Sequence, residues 1–96
     1  MIKSFGNRLT KNLYHGIPSK DTRQFPNELH RLAIKKLTLI NGAGNLRDIA
    51  LYPGNRLEKK QGDLKDYYAI WINDQWRITF KWEGADASEV TIIDYH

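Results

Sequence analysis

From residue 67 onward the sequence alternates with a period of two, and no other feature constrains the fold so tightly. Tyr68, Ile70 and Ile72 alternate with Tyr67, Ala69 and Trp71. After Asn73-Asp74, the residues Trp76, Ile78, Phe80 and Trp82 alternate with Arg77, Thr79 and Lys81. Successive side chains of a strand point to opposite faces, so the pattern predicts a β-hairpin. Its second strand sends four large apolar groups to one face and two cations with a threonine to the other. The apolar face must be covered by the rest of the chain, and the other is expected to be polar and open. A turn around Gly84-Ala85-Asp86 returns the chain as a third strand from Val90 to Ile93, and antiparallel pairing of neighbours is the simplest topology.

The covering layer is helical. Asn7 is a plausible N-cap for a short helix carrying Leu9 and Leu13, which Gly16 and Pro18 end. Pro26 suits the first turn of a longer helix in which Leu29, Leu32, Ala33, Leu37 and Ile40 recur at three- and four-residue steps. Glu28, Arg31, Lys35 and Lys36 are left for its solvent side. Gly42-Ala43-Gly44 stops it, and Asn45 caps a brief turn through Leu46, Ile49 and Ala50. Residues Ile2 to Phe5 could form a short first strand. The expected architecture is one α+β domain over residues 1–96, with two main N-terminal helices packed on a twisted, mostly antiparallel sheet.

Composition narrows the functional classes. The chain has no cysteine, and its three histidines, His15, His30 and His96, stand too far apart for the usual zinc spacings. No metal and no cofactor are expected. The longest apolar run falls far short of a membrane span, and the N-terminus lacks a secretory pattern, so a soluble cytoplasmic protein is expected. Fifteen Lys and Arg against eleven Asp and Glu leave +4 at pH 7, a balance that favours a polyanionic partner. Six of the cations, Arg56, Lys59, Lys60, Lys65, Arg77 and Lys81, fall in the strand-rich second half.

The sequence closes on Asp94-Tyr95-His96, directly after the last strand. A histidine there is a proton-transfer group near neutral pH, and Asp94 with the α-carboxylate would raise its pKa. Cleaving RNA through its own 2′-hydroxyl needs a base, an acid and fixed positive charge for the phosphorane-like transition state. His96 offers the proton transfer, and Arg77 can fork onto phosphate oxygens. Lys59 and Lys60 add point charges, with Arg56 and Lys81 as further phosphate contacts. Tyr95 can stack on a base or share in proton transfer. The plainer readings are a solvated terminal histidine, a wet strand face for Arg77 and Lys81, a polar loop for Lys59-Lys60, and packing roles for Trp71, Trp76 and Trp82.

Taken in order, Pro53-Gly54-Asn55-Arg56-Leu57-Glu58, Gly62-Asp63, Ile72-Asn73-Asp74-Gln75-Trp76-Arg77-Ile78-Thr79-Phe80 and Asp94-Tyr95-His96 resemble the HigB family of killer toxins within the RelE/ParE superfamily. The Met1-Ile2-Lys3-Ser4-Phe5 opening fits as well. The resemblance implies a RelE-like fold and a type II toxin that cuts messenger RNA in the ribosomal 30S A site, without metal. It implies a helix-turn-helix antitoxin resembling HigA as partner, in a hetero-oligomer. By position, Arg77 would hold the scissile phosphate, and Asp94, Tyr95 and His96 would supply catalytic or orienting groups. Where relatives carry a basic residue before Gly-Asp this chain has Gln61, and where some carry a histidine it has Glu58. Lys59 or Lys60 would then stand in, or Glu58 would serve as base. The other functions in view are a ParE-like inhibitor of a protein such as DNA gyrase, and an RNA-binding module with weakened catalysis.

Overall fold

Asn7 both starts the first helix and fastens it to the sheet. In the computed structural model, which describes residues 1–62 and 66–95, its Oδ1 accepts from Thr10 N at 3.0 Å, and its Nδ2 donates to Ile92 O at 3.1 Å. The Thr10 hydroxyl, fully buried, accepts from Ile92 N at 2.8 Å. Helix α1 (Arg8–His15) is thus fixed to the last strand by polar bonds that satisfy both main-chain groups of Ile92. Gly16, at φ 69°, closes the helix in the left-handed conformation that glycine adopts without steric cost.

Helix α2 (Lys20–Gln24) lies outside the sequence-based expectation. Its five residues carry no apolar stripe, and a Ser19/Thr22 capping box holds it. Pro26 and a single 3-10 turn, Asn27–Leu29, lead into α3 (His30–Gly42), whose Ala33, Leu37 and Ile40 are fully buried. Helix α4 (Leu46–Ala50) is capped by Asn45, as its sequence predicts. Lys36 departs from expectation. It is only 4% exposed rather than on the solvent side, because its ammonium reaches main-chain carbonyls of the layer beneath.

The sheet runs in the order β1-β2-β3-β4, antiparallel throughout: β1 (Glu58–Lys59), β2 (Tyr67–Trp71), β3 (Trp76–Glu83) and β4 (Asp86–Asp94). Ile70, Ile78 and Ile92 lie in one register row, each at most 2% exposed, and form the centre of the face that meets the helices. Burying each such side chain contributes about 1.5–3 kcal/mol. Strand β1 is an addition, since its residues read as loop. The Ile2 to Phe5 segment makes only parallel bridges, Ile2 to Ala87 and Phe5 to Val90. The chain runs beside β4 so closely that a Cβ on the following Gly6 would sit 1.9 Å from the Thr91 hydroxyl, so glycine is required there.

The outer face of the sheet is not the open surface expected of it. Arg77 is 8% exposed, Thr79 4% and Ala69 1%. Large aromatic side chains from β2 and the C-terminal segment share this face with small ones, and the small ones are sheltered. Among the described residues no helix is long and apolar enough to cross a membrane. His96, and the Asp63 and Lys65 singled out above, lie outside the described residues.

Candidate active site

Trp71 and Arg77 are register partners across β2 and β3, so their side chains rise from the same face of the sheet. The Arg77 guanidinium lies 4.3 Å from the Trp71 ring centroid and 4.9 Å from that of Tyr95. Arg56 extends the series on Trp71 at 3.7 Å, and Lys60 extends it on Tyr95 at 4.3 Å. The result is a ladder in the order Arg56, Trp71, Arg77, Tyr95, Lys60, in which cations and rings alternate. Each such contact is worth about 0.5–1 kcal/mol at the surface and roughly 2 when shielded from water.

Several main-chain bonds set these positions. Asn73 Oδ1 accepts from Gln75 N at 2.9 Å and Trp76 N at 2.8 Å, tightening the hairpin turn. Arg77 Nη1 donates to the carbonyls of Asn73 and Trp76. Arg77 Nε is buried and meets no acceptor among the described residues, an expensive state for a donor unless a ligand supplies the oxygen. Tyr95 is carried back over this face after β4 ends, its N–H donating to Gln75 O at 2.5 Å.

At the far rung, Lys60 Nζ donates to the Tyr95 hydroxyl and to Glu58 Oε1, the latter at 3.4 Å. The hydrogen bond to Tyr95, with help from Glu58 and against partial burial, raises the Lys60 pKa above the usual lysine range. Lys60 therefore remains a full cation at neutral pH. Glu58 itself is exposed and is linked to the phenol through Lys60, which bonds to both.

Five of the residues chosen from sequence are thus brought together: Arg77, Tyr95, Lys60, Glu58 and Arg56. The others stand apart. Lys59 pairs with Tyr68 and so points to the opposite face from Glu58. Asp94 is the register partner of Trp76, on the helix side of the sheet, where Gln75 Nε2 donates to its carboxylate at 3.1 Å. Lys81 lies four residues along β3 from Arg77, bound to Glu89 at 2.9 Å and beside the Tyr67 ring.

Trp71 is the residue that sequence reasoning assigned to packing and the structure places at the centre of the cluster. The signal was present: it falls on the Tyr67-Ala69-Trp71 side of the alternation, the polar side. Trp76 and Trp82 do pack against the core as expected, Trp76 edge-on to Phe25 at 4.9 Å. Lys36 was also missed. Its ammonium donates to the carbonyls of Trp71 and of Gly54, and burial lowers its pKa below the ordinary lysine value.

The chain matches a family described as the RelE-like toxin of the type II toxin-antitoxin system HigB, over residues 3–96. It is 33% identical to the Endoribonuclease HigB of Proteus vulgaris across 100% of each chain. It is 32% identical to Toxin HigB-1 of Vibrio cholerae serotype O1 across 80% of each. A Haemophilus influenzae protein of uncharacterised role is 28% identical over 88% of this chain and 83% of its own.

Proposed function

Since this chain belongs to the HigB-like family of RelE-like type II toxins, we propose that it is a ribosome-dependent endoribonuclease that cuts messenger RNA without a metal ion. The observation that carries this reading is the ladder itself. Three cations and one carboxylate converge with a phenol on one patch, and the innermost cation retains an unpartnered buried N–H. The similarity to a relative named as an endoribonuclease supports the same reaction class.

The chemistry follows from the groups present. The 2′-hydroxyl attacks the adjacent phosphorus in line, the P–O5′ bond breaks, and a 2′,3′-cyclic phosphate and a 5′-hydroxyl result. Arg77 holds the non-bridging oxygens, where Nε supplies a donor aimed at developing negative charge. Glu58 takes the 2′-hydroxyl proton, and Lys60 keeps the Tyr95 phenol oriented beside it. His96 returns a proton to the leaving oxygen, and Asp94 serves as an orienting group for the tail. Arg56 steadies the RNA strand and Lys59 is an outlying phosphate contact, whereas Lys81, proposed from sequence for the same role, is held by Glu89 and contributes little. The Arg77 guanidinium is covered by the Tyr95 ring, so substrate must displace Tyr95 or enter beside it. This suits an enzyme whose substrate is presented in a fixed geometry by the ribosome. A helix-turn-helix antitoxin silences the toxin, and both act in the cytoplasm.

Primer extension on messenger RNA in a translating extract tests the proposal. The wild type should give discrete cuts whose upstream fragments end in a 2′,3′-cyclic phosphate, the product of 2′-hydroxyl attack and not of metal-activated water. His96→Ala and Arg77→Ala should remove the cuts while far-UV spectra and antitoxin binding remain. Growth arrest by both variants without RNA cuts would sink the nuclease reading in favour of a protein target.

A further inference from the structure

Arg56 is held in a conformation that a non-glycine residue adopts only at a cost, φ 48°, and its guanidinium lies on Trp71 at 3.7 Å. It is exposed and makes no ion pair or hydrogen bond with the described residues. A solvated arginine has no need of such placement, so the placement requires a cause.

The cause lies beneath it. Asn55, fully buried, accepts from Trp71 N through its main-chain carbonyl at 2.7 Å and donates through Nδ2 to Ile49 O at 3.0 Å. Lys36 Nζ, rising from α3, donates to the carbonyl of Trp71 and to that of Gly54 at 3.4 Å. One buried cation and one buried amide therefore tie the segment bearing Arg56 to the strand bearing Trp71. The stack is fixed from both sides of its backbone.

The two faces of this unit differ. Trp71 already carries Arg77 and Arg56 and has no place for another ring. The guanidinium of Arg56 is planar, delocalised and weakly hydrated, and Trp71 is the only ring it meets among the described residues, so an exposed face of it can receive a flat π-system. Positive charge attracts the strand, and a preset plane accepts a base without losing side-chain entropy on binding.

We propose that Arg56, preset on Trp71 by Lys36 and Asn55, is a stacking platform for one nucleobase of single-stranded RNA next to the site at Arg77. This rests on the proposed function only in taking RNA as the ligand. The platform sets which nucleotide is held, and Lys36 acts as a positioning residue through the two carbonyls it binds.

The test uses a labelled 2′-O-methyl hexaribonucleotide, which cannot be cleaved, and a set of six in which one position at a time is abasic. Affinities for the full-length protein are read by fluorescence anisotropy. In the wild type a single abasic position should weaken binding about 5- to 100-fold. Arg56→Lys, which keeps the charge and loses the plane, should bind the intact oligonucleotide more weakly by a similar factor and be indifferent to that position. Its salt dependence should match the wild type, because the phosphate charge is retained. Lys36→Met should reduce the same abasic sensitivity while Arg56 is intact. Sensitivity unchanged in Arg56→Lys, equal loss at all six positions, or no binding by the wild type would each overturn the proposal. So would an Arg56→Lys defect confined to antitoxin binding, which assigns the platform to a protein partner. No strand is cut in this assay, so it separates failure of the platform from failure of the nuclease reading.

Discussion

The outer face of the sheet carries two cation–aromatic groups built from similar residues, and they have different physical status. At Trp71 and Arg77, three cations and two rings interleave, one carboxylate stands at the rim, and the central guanidinium is 8% exposed. Four residues further along β2, about 13 Å at the strand rise, Tyr67 and Lys81 meet Glu89 in a solvated trio. Lys81 and Glu89 are ion-paired at 2.9 Å, and the Tyr67 hydroxyl donates to the same carboxylate at 3.0 Å. The second group is balanced in charge and screened by water and salt. The first is net positive, shielded and only partly satisfied. A lysine, a tyrosine and a glutamate occur in both groups, yet their electrostatic setting differs according to what covers them and how many counter-charges stand nearby.

The comparison breaks most readily at the two strand cations. Arg77→Ala should lower the rate of messenger RNA cleavage in a translating extract by about a hundredfold or more, the range for removing a transition-state donor. Lys81→Ala should change it by no more than about twofold, since its charge is already spent on Glu89. Equal losses would erase the distinction between the groups. At the level of folding, Trp71→Ala should cost about 2–3 kcal/mol in urea denaturation through lost packing and two lost cation contacts. Tyr67→Ala, losing one exposed contact, should cost about 1 kcal/mol or less.

A pH series sharpens the contrast further. Burial lowers the Lys36 pKa, so the unfolded chain binds that proton more readily, and stability rises with pH between the lowered folded value and the ordinary 10.5. Lys36→Met lacks that rise, and its stability should fall relative to wild type as pH climbs through this window. Lys60 runs the other way, since its folded pKa is raised: its stabilisation is present below the ordinary value and lost above it. The smallest effect belongs to Glu89. Hydrogen bonds from Lys81 and Tyr67 lower its pKa, so its contribution is present above the ordinary 4.5 and disappears as pH falls through the lowered value. Glu89→Gln should flatten that acid limb slightly, more at low salt than at high, and leave cleavage unchanged.

The hairpin and α3 were legible in the sequence because periodicity is written in local side-chain pattern. Ile70, Ile78 and Ile92 occupy the row that alternation assigns them. The terminal tripeptide and the Gln75-Trp76-Arg77 stretch likewise carried the family resemblance. Helix α2 was not legible, since Lys20 to Gln24 has no apolar residue and is held by a reciprocal cap instead. Nor was β1, two residues whose strand character comes only from pairing with Tyr68 and Ala69. In the candidate site, Arg77, Tyr95, Lys60 and Arg56 were chosen by their chemistry and Glu58 through the family resemblance, and the order of the ladder was invisible.

The sequence by itself determined the α+β architecture, the family and the chemical types at the site. A period of two or 3.6 and the spacing of motifs are local properties, carried along a chain whatever it packs against. Only the tertiary structure decided that Arg77 is covered rather than open, that Trp71 lies between Arg56 and Arg77 in the ladder, and that Lys36 is buried behind it. Each of these depends on which rings and carbonyls arrive from distant segments, and the burial of a charge is set by those neighbours rather than by its own place in the pattern.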